Sequence, residues 1–446
     1  MNTQDPIITF MPAAGYTVVL GAAGSGKTTA ALKRAVYFAR QPEQPRVLLV
    51  TWNRLLAAQL LTKDARKSLP RRLTVEGFPD FTVRSLKYCG VLSGTGRILD
   101  EHRRMSYIRQ AVQICRETHP EERLFSMPDA FFAEEIRILQ QTEPLRHDRT
   151  QPDTDKAYPE QLRRCTDAVR RKYMELRTFG GWRYDADDLP ALLCRTQAEG
   201  KSWSRYTHII VDDAQDFSPA MLRALYGALE PDGSMTLFAD PGQQITGSRF
   251  HWQDAGLPVG AVRELHGSRC IPAEVKQFLS VLRTGTESAE KMKMPQLHLY
   301  ADPEQELANT AARALRLSRS APTAILCRSS ADMLRFRRFL LRHMEDSIIL
   351  HGDAAIGLRE HAVYLSTYRD ARGLEFPHVL LPFLSAETLP HPAAMLRTLN
   401  AAEAVENERR LLYCAAARTT ESLFLSASGI PSPLLPASCM QIQYTA

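Results

Sequence analysis

The chain has 446 residues, of which 44% are hydrophobic and 24% are charged, and its formal net charge is +6. This composition excludes collagen-like, coiled-coil and wholly disordered chains, and the length predicts about three compact modules. No apolar run approaches the ~20 residues of a membrane span, and the N-terminus lacks a basic-then-apolar secretion signal, so we expect no membrane partner.

Cysteine usage and net charge indicate the compartment and the class of partner. Eight cysteines are scattered along the chain without a C-x-x-C pair. This pattern predicts a protein of the reducing cytoplasm, without a disulfide framework or a zinc module. The mildly basic charge permits a polyanionic partner but does not demand one.

Strand–helix alternation dominates both halves of the chain. Near the N-terminus, an apolar strand at 16–20 precedes a glycine loop and a helix at 28–40, and a second apolar strand follows at 46–51. Continuous apolar strands of this kind are typical of a parallel sheet that is buried on both faces. The alternation returns at 208–238 and continues in the second half, with strands at 296–300, 323–326, 347–350, 363–366, 378–382 and 422–426 and helices at 301–319, 331–344 and 400–417.

A helical segment interrupts the first α/β block. Arginine-rich helices are predicted at 103–116, 130–141 and 160–176. Their arginines suit phosphate contacts and solvated helix faces equally well. We therefore predict two α/β units, with a helical insertion in the first and an extended Pro- and Ser-rich tail after Gly429.

A phosphate-binding loop follows the first strand. Eight residues carry the pattern G-x-x-x-x-G-K-[ST] and open the first helix; they are Gly21, Ala22, Ala23, Gly24, Ser25, Gly26, Lys27 and Thr28. Thr29, which follows them on the helix, is also expected to contact the nucleotide. Backbone N–H groups of such a loop surround phosphates, and the helix N-terminus adds positive potential. Lys27 is expected to reach the β- and γ-phosphates and the Thr28 hydroxyl to bind Mg²⁺. A chance glycine-rich turn is the alternative interpretation.

Two carboxylates end the apolar strand at 208–211. Asp212 and Asp213 stand where a P-loop ATPase places the carboxylate that orders Mg²⁺ and its water. A helix cap would explain an acidic pair equally well in isolation. Together with the glycine loop, the pair favours a nucleoside triphosphatase.

Seven segments in the right order resemble motifs of the UvrD/Rep-like superfamily 1 helicases. The segments are 48–54, 185–189 (resembling D-F-x-D-L), 211–216 (D-E-x-Q-D), 239–245 (G-D-x-x-Q-x-I), 265–269, 367–376 (T-x-x-x-A-K-G-L-E-F) and 408–419 (E-x-R-R-L-x-Y-V-A-x-T-R-A). The resemblance implies two RecA-like domains, parallel sheets flanked by helices, with ATP and Mg²⁺ between them. It places the first domain at 1–84 and 205–275, the helical insertion at 85–204 and the second domain at 276–446.

The resemblance also implies roles for individual residues at the nucleotide. Lys27, Thr28 and Asp212 would hold Mg-ATP, and Asp213 would polarise the attacking water. The remaining assignments are Gln243 as γ-phosphate sensor, Arg269 and Arg418 as transition-state arginines, Glu375 at the ribose and Gln4 at the adenine. Dispersed positive charge around the γ-phosphate is what phosphoryl transfer requires. A surface ion pair is the alternative role for Arg418, and Pro6 disturbs the helix expected around Gln4.

Single-stranded DNA, or DNA with a 3′ single-stranded tail, is the partner that the resemblance implies. The residues at the matching positions are Thr51, Trp52 and Asn53 in the first domain and Thr367 and Arg369 in the second. Trp52 is the one aromatic residue at a motif position that could stack on a base. Phe250 and Trp252 follow a further motif, and for them packing in the core is the favoured role.

Several motif positions depart from the family pattern. Asp213 replaces a glutamate and is one methylene shorter. Because small misplacements are costly in catalysis, this predicts either slow hydrolysis or a shift of the loop that compensates. Ser268 replaces an aromatic residue that stacks on adenine, and Thr246 and Ser248 replace a Tyr and a Trp near the strand. Arg372 replaces a lysine, which keeps the charge but alters its geometry.

The spacing of the late motifs predicts a compact architecture. Thr367 follows Arg269 by only 98 positions, and predicted strands and helices use nearly all of them. The large accessory subdomain that family members insert here is therefore expected to be missing.

Three functions remain open from the sequence. The favoured one is an ATP-dependent single-stranded-DNA translocase or 3′→5′ helicase. The second is a nucleic-acid-sensing regulatory ATPase that controls a partner nuclease in an anti-phage defence or DNA repair complex. The third is a non-catalytic nucleic-acid-binding protein, which Asp213 supports and the intact Lys27 and Arg418 oppose.

Overall fold

The computed structural model describes most of the chain. The described residues are 15–52, 69–92, 98–142, 160–200, 205–240, 242, 255–265, 271–286, 294–342, 348–350, 361–371, 373–396, 401–439 and 441–443. Within them, no helix is both long enough and apolar enough to cross a membrane.

A six-stranded parallel sheet forms the first α/β unit. Its strands are β1 (Tyr16–Gly21), β2 (Val47–Thr51), β3 (Leu73–Gly77), β6 (Tyr206–Asp212), β7 (Leu229–Ala239) and β8 (Val259–Leu265). Their order across the sheet is β3-β2-β6-β7-β1-β8. The register pairs Thr51 with Asp212 and Leu20 with Ala239. The carboxyl ends of these strands therefore meet at one edge, which is where ligands bind in open α/β sheets.

Helices cover both faces of this sheet. They are α1 (Lys27–Ala39), α2 (Phe78–Tyr88), α6 (Leu189–Ala198) and α7 (Pro219–Tyr226). Val19 and Leu49 face the cluster that contains α1, whereas Val18 and Leu48 face the cluster that contains the other three helices. Adjacent strand residues point to opposite faces, so uninterrupted apolar strands fill both layers.

The helical insertion has a core of its own. It consists of β4 (Ile98–Leu99), α3 (Glu101–Thr118), α4 (Asp129–Thr142), α5 (Glu160–Phe179) and β5 (Tyr184–Asp185). The three long helices confirm the helices predicted from the sequence at 103–116, 130–141 and 160–176. Asp100 caps α3 by accepting a hydrogen bond from the Arg103 N–H at 2.9 Å.

A buried ionic network anchors the insertion at the segment that resembles D-F-x-D-L. Asp185 is fully buried and accepts hydrogen bonds from Tyr173 Oη at 2.5 Å and Arg177 Nη1 at 2.9 Å. Asp185 Oδ1 also caps the turn that follows, since it accepts from the N–H groups of Asp187 and Asp188. In the described chain this motif segment therefore has a structural role, because it orients the entry to α6.

A seven-stranded parallel sheet forms the second α/β unit. Its strands are β9 (Leu297–Tyr300), β10 (Thr323–Cys327), β11 (Ile348–Leu350), β12 (Val363–Thr367), β13 (Phe376–Leu381), β14 (Thr419–Ser428) and β15 (Gln441–Gln443), in the order β11-β12-β10-β13-β14-β9-β15. Its helices are α8 (Ala273–Thr284), α9 (Pro303–Ser318), α10 (Ser330–Leu341) and α11 (Ala401–Ala416). The two sheets and their helices confirm the predicted α/β fold class.

The structure adds strands that were not predicted from the sequence, and it shows what holds the predicted extended tail after Gly429. Strands β3, β8 and β15 were not predicted, because each is short or mixes polar with apolar residues. The tail after Gly429 forms a strap, in which Pro431 bridges to Ser385 and β15 pairs with β9. Between β8 and β12 the described residues contain only α8, β9, α9, β10, α10 and β11, so they include no accessory subdomain.

Candidate nucleotide-binding site

The glycine loop joins β1 to α1 at the carboxyl edge of the first sheet. Gly24 and Gly26 have φ angles of 70° and 88°, a left-handed conformation that glycine adopts without steric cost. At Gly21 the neighbours approach closely, since a Cβ there would lie 2.4 Å from Ser25 Oγ. The loop therefore needs its glycines for the shape that surrounds a phosphate.

Lys27 lies inside this loop. Its side chain is 7% exposed, and Nζ donates hydrogen bonds of 2.9 Å to the carbonyl oxygens of Gly21 and Ala22. The same ammonium lies 3.8 Å from Asp240 Oδ2, at the end of β7. The Lys27 ammonium is therefore held by two loop carbonyls and lies near one carboxylate at the strand ends.

Asp212 lies at the carboxyl end of the neighbouring central strand β6. Its carboxylate is fully buried, and Oδ1 accepts a hydrogen bond from the Asp213 N–H at 3.1 Å. Burial and the adjacent charge of Asp213 raise the pKa of Asp212 to about 7, while the Thr28 hydroxyl and Lys27 act in the opposite direction. A cation beside this carboxylate would favour its charged form.

Two buried polar atoms test whether Mg²⁺ fits here. Ser25 Oγ and Asp212 Oδ2 have no hydrogen-bond partner within the described part of the chain. Buried polar atoms are normally satisfied, so unpaired oxygens at a phosphate loop suit a bound cation and phosphate. Among the described residues, no group of three or more His, Cys, Asp or Glu side chains is arranged so that it could hold a metal ion by itself. Mg²⁺ typically binds through one or two carboxylates plus substrate phosphates, and Asp212 with Thr28 fits that donor set.

Asp213 is held in an unusual backbone conformation. Its φ of 52° and ψ of 46° are left-handed, a region that aspartate tolerates better than most residues. Asp213 Oδ1 accepts from Gln215 Nε2 at 3.1 Å, and Gln215 Oε1 accepts from the Asp240 N–H at 2.9 Å. Gln215 therefore links the carboxylate after β6 to the carboxyl end of β7, a contact that sequence analysis did not assign.

Tyr413 brings the second α/β unit to this site. It lies on α11, is 4% exposed, and its hydroxyl oxygen is 3.5 Å from Asp240 Oδ2. Burial raises the pKa of Tyr413, so the phenol keeps its proton at neutral pH. Tyr413 lies within the motif segment 408–419, and nothing in its local pattern indicates a partner 173 positions earlier.

Arg418 lies beside the segment that carries Glu375 in the second unit. Arg418 is 6% exposed; its Nε donates to Cys414 O at 3.0 Å and its Nη1 to Leu374 O at 3.5 Å. Glu375, the next residue after Leu374, is exposed. The carbonyl oxygens of Cys414 and Leu374 therefore fix the orientation of the Arg418 guanidinium.

The predicted DNA-contacting residues occupy the carboxyl ends of strands in both sheets. Thr51 ends β2 and is buried, and the Trp52 ring lies 6.5 Å from the rings of Phe78 and Phe217. In the second sheet, Thr367 ends β12 and its hydroxyl donates to Asp370 Oδ2 at 2.7 Å. Trp52 is partly buried against the core of the first sheet, so only part of its ring remains for a base.

Arg369 has a partner in the helical insertion. Its Nη1 forms an ion pair with Glu134 Oε1 of α4. The side chains of Arg369 and Glu134 are 26% and 20% exposed, so solvent reaches the pair. The remaining predicted site residues lie outside the described residues; they are Gln4, Asn53, Gln243 and Arg269.

Comparison with known families assigns both halves of the chain. The family model for the UvrD/REP helicase N-terminal domain matches residues 1–257, and that for the UvrD-like helicase C-terminal domain matches residues 338–429. A solved structure, the C-terminal domain of a possible DNA helicase from Lactobacillus plantarum WCFS1, aligns at 18% identity and a TM-score of 0.30, over 40% of this chain and 99% of its own. No curated protein matches significantly. The chain belongs to the UvrD/Rep helicase family.

Proposed function

We propose that this UvrD/Rep-family DNA helicase is driven by ATP hydrolysis and moves 3′→5′ along single-stranded DNA. One observation carries the proposal. Lys27 of the phosphate loop, Asp212 of the neighbouring strand and Tyr413 of the second unit converge on one site, where Asp212 Oδ2 is buried and unpaired within the described residues. A site between two α/β units can couple phosphate chemistry to their relative movement.

The chain's own residues divide the work of the reaction. Thr28 and Asp212 would hold Mg²⁺, and Lys27 would leave its loop carbonyls to bind the β- and γ-phosphates. The bound metal would neutralise charge that develops between the β- and γ-phosphates. Asp213, held by Gln215, would orient the attacking water and accept its proton.

The remaining assignments complete the nucleotide site. Arg418 would supply transition-state charge from the second unit, together with Arg269, while Gln243 would report the γ-phosphate. Glu375 would contact the ribose and Gln4 the adenine. Supplying an arginine from the opposite unit makes hydrolysis depend on closure of the cleft, because charge stabilisation falls steeply with distance.

The nucleic-acid path would cross the carboxyl edges of both sheets. Thr51, Trp52 and Asn53 would contact the strand in the first unit, and Thr367 and Arg369 in the second. Hydroxyl groups and arginines bind phosphates without reading sequence, and a partly exposed Trp52 ring offers a stacking surface. DNA with a 3′ single-stranded tail is the proposed substrate, and alternating grip of the two units would advance it.

The second candidate is a regulatory ATPase that senses nucleic acid and controls a partner nuclease. The observation that favours it is Asp213, whose carboxylate is one methylene shorter than the glutamate of related sites and is already bound by Gln215. A slow hydrolytic step would prolong the ATP-bound form, which suits a switch better than a fast motor.

ATP hydrolysis with and without single-stranded DNA tests both candidates. Wild type, Lys27→Ala and Asp213→Glu would be compared, followed by translocation assays on DNA with a 3′ or a 5′ tail. DNA-stimulated hydrolysis that Lys27→Ala abolishes, with movement on the 3′ tail, is the expected result. If wild type does not hydrolyse ATP but Asp213→Glu does, the regulatory ATPase is favoured. If none of the three proteins hydrolyses ATP, the ATP-driven motor is refuted.

A further inference from the structure

One tyrosine of the second α/β unit touches the phosphate loop of the first. The Tyr413 ring packs so closely on Gly242 that a Cβ there would lie 3.3 Å from Tyr413 Cζ. Its phenol oxygen accepts a backbone hydrogen bond from Ala23, within the glycine loop, and lies 3.5 Å from Asp240 Oδ2. Ala23 belongs to the apolar core cluster of the second unit. Tyr413 is therefore a direct contact between α11 and the nucleotide site.

The Asp240 carboxylate contacts polar side chains of both α/β units. Its Oδ1 accepts the Gly242 N–H at 2.9 Å, which fixes the orientation of the carboxylate. Its Oδ2 lies 3.8 Å from Lys27 Nζ and 3.5 Å from the Tyr413 hydroxyl. The same carboxylate oxygen is thus shared by the phosphate-binding lysine of the first unit and by a phenol donor of the second.

Phosphate binding changes how this oxygen is shared. Lys27 must release Asp240 when its ammonium turns to phosphate oxygens. Asp240 is 2% exposed, and a buried carboxylate that loses a cation depends more strongly on its remaining hydrogen-bond donors. The Tyr413 hydroxyl is one of these donors, so its bond to Asp240 strengthens and draws α11 toward the end of β7.

The movement of α11 reaches Arg418. Cys414 follows Tyr413 on the helix, and its carbonyl oxygen accepts from Arg418 Nε at 3.0 Å. The guanidinium is therefore attached to the residue next to Tyr413. A small shift of the helix end carries Arg418 with it.

We propose that Tyr413 is a positioning residue for ATP hydrolysis, which couples release of Asp240 by Lys27 to the placement of Arg418. The inference rests on the proposed function, since it concerns the same nucleotide site. Tyr413 touches no reacting atom in this scheme and acts through Asp240 and α11.

The test compares Tyr413→Phe with wild type and with Tyr364→Phe. Tyr364 is also buried in the core cluster of the second unit, so it is a matched control for the loss of a buried hydroxyl. Steady-state kcat and KM for ATP, binding of a fluorescent ADP analogue and the thermal unfolding midpoint would be measured. Arg418→Lys and the double variant Tyr413→Phe/Arg418→Lys complete a double-mutant cycle on kcat.

We expect Tyr413→Phe to lower kcat about tenfold and to change KM and ADP affinity less than about twofold. The loss of kcat in the double variant should be smaller than the product of the losses in the two single variants, because Tyr413 acts through Arg418. Wild-type kinetics in Tyr413→Phe, or equal losses in kcat, ADP affinity and unfolding temperature, would overturn the inference while the ATPase function stands. Absence of hydrolysis in wild type would overturn both.

Discussion

Arg369, a predicted DNA-contacting residue, is ion-paired with Glu134 of the helical insertion. Glu134 also lies 3.5 Å from Arg137, which in turn contacts Asp187 Oδ2 at 3.3 Å. The carboxylate that binds Arg369 is therefore attached to the ionic network of the insertion. A DNA phosphate would have to compete with Glu134 for the guanidinium, since both are oxygen anions that bind arginine.

Removing this competition should strengthen DNA binding. We expect Glu134→Gln to raise affinity for a single-stranded oligonucleotide by about two- to fivefold, because a solvent-accessible ion pair contributes up to about 1 kcal/mol. Arg369→Gln should weaken binding. Fluorescence anisotropy at one fixed salt concentration measures both. Glu122→Gln is the control, since Glu122 pairs with Arg164 elsewhere on the insertion. Equal affinities of Glu134→Gln and the control would contradict the competition.

The Asp213 carboxylate should be needed for hydrolysis and dispensable for nucleotide binding. Asp213→Asn keeps the side-chain size and tolerates the left-handed backbone, yet it removes the proton acceptor. We expect kcat to fall about 10²-fold with little change in the affinity for ATP. Single-turnover hydrolysis and equilibrium binding of a fluorescent nucleotide separate the two effects. Undiminished hydrolysis would show that another group activates the water.

A buried ion pair should stabilise the second unit. Arg328 donates to both carboxylate oxygens of Glu408 at 2.7 and 2.6 Å, and Glu408 is 1% exposed. Burial alone would raise the pKa of Glu408, but the hydrogen bonds and charge of Arg328 outweigh it and hold this pKa below the ordinary glutamate value. Glu408→Gln should lower the free energy of unfolding by about 3 kcal/mol at pH 7, because it leaves the charge of Arg328 without its anionic partner.

Two further measurements check the prediction for Glu408→Gln: the pH dependence of its effect, and a control substitution at Glu406. A depressed pKa stabilises the fold above the ordinary glutamate pKa, and that stabilisation is lost as the pH falls through the lowered value. The difference between wild type and Glu408→Gln in urea unfolding should therefore shrink in acid. Glu406→Gln, which disturbs the more exposed pairs with Arg409 and Arg410, should cost less than about 1 kcal/mol.

His298 should make the fold sensitive to mild acid. Burial in β9 and the charge of nearby Arg313 lower the pKa of His298 to about 4. Between this value and the ordinary pKa of about 6.5 the unfolded chain binds a proton that the folded protein does not, so stability falls as pH falls. From pH 7.5 to 5 the loss should be about 2 kcal/mol. In denaturant unfolding, His298→Leu should lose less stability over this pH range than wild type does, by about the same 2 kcal/mol. If the stability of the two proteins falls in parallel with pH, His298 is not the group responsible.

The sequence predicted the parts of the fold that carry strong local patterns. The long helices α3, α4 and α5 and the apolar strands β1, β2 and β10 were predicted because their periodicity or continuous apolar character is visible in a short window. Strand β8 was missed because it lies at the sheet edge, where Val262 is 51% exposed and polar residues interrupt the pattern. Strand β15 has three residues and depends on pairing with β9.

In the candidate site too, local sequence reveals some of the residues and only the fold reveals the others. The glycine loop, Lys27 and Asp212 could be recognised because their chemistry depends on neighbours within a few residues of a strand end. Gln215 and Tyr413 could not be assigned, because each acts through a contact with Asp240 that forms only when distant strands and helices pack.

By itself, the sequence determined the α/β class, the phosphate loop and the family, since these depend on backbone preferences and residue order over short segments. Only the tertiary structure decided which acceptors hold Lys27, that Arg369 binds Glu134 and that Tyr413 contacts Asp240. The Arg369–Glu134 and Tyr413–Asp240 partners are separated by 235 and 173 positions. The physical reason is that a side chain's partner is set by the packing of whole units, which local periodicity does not encode.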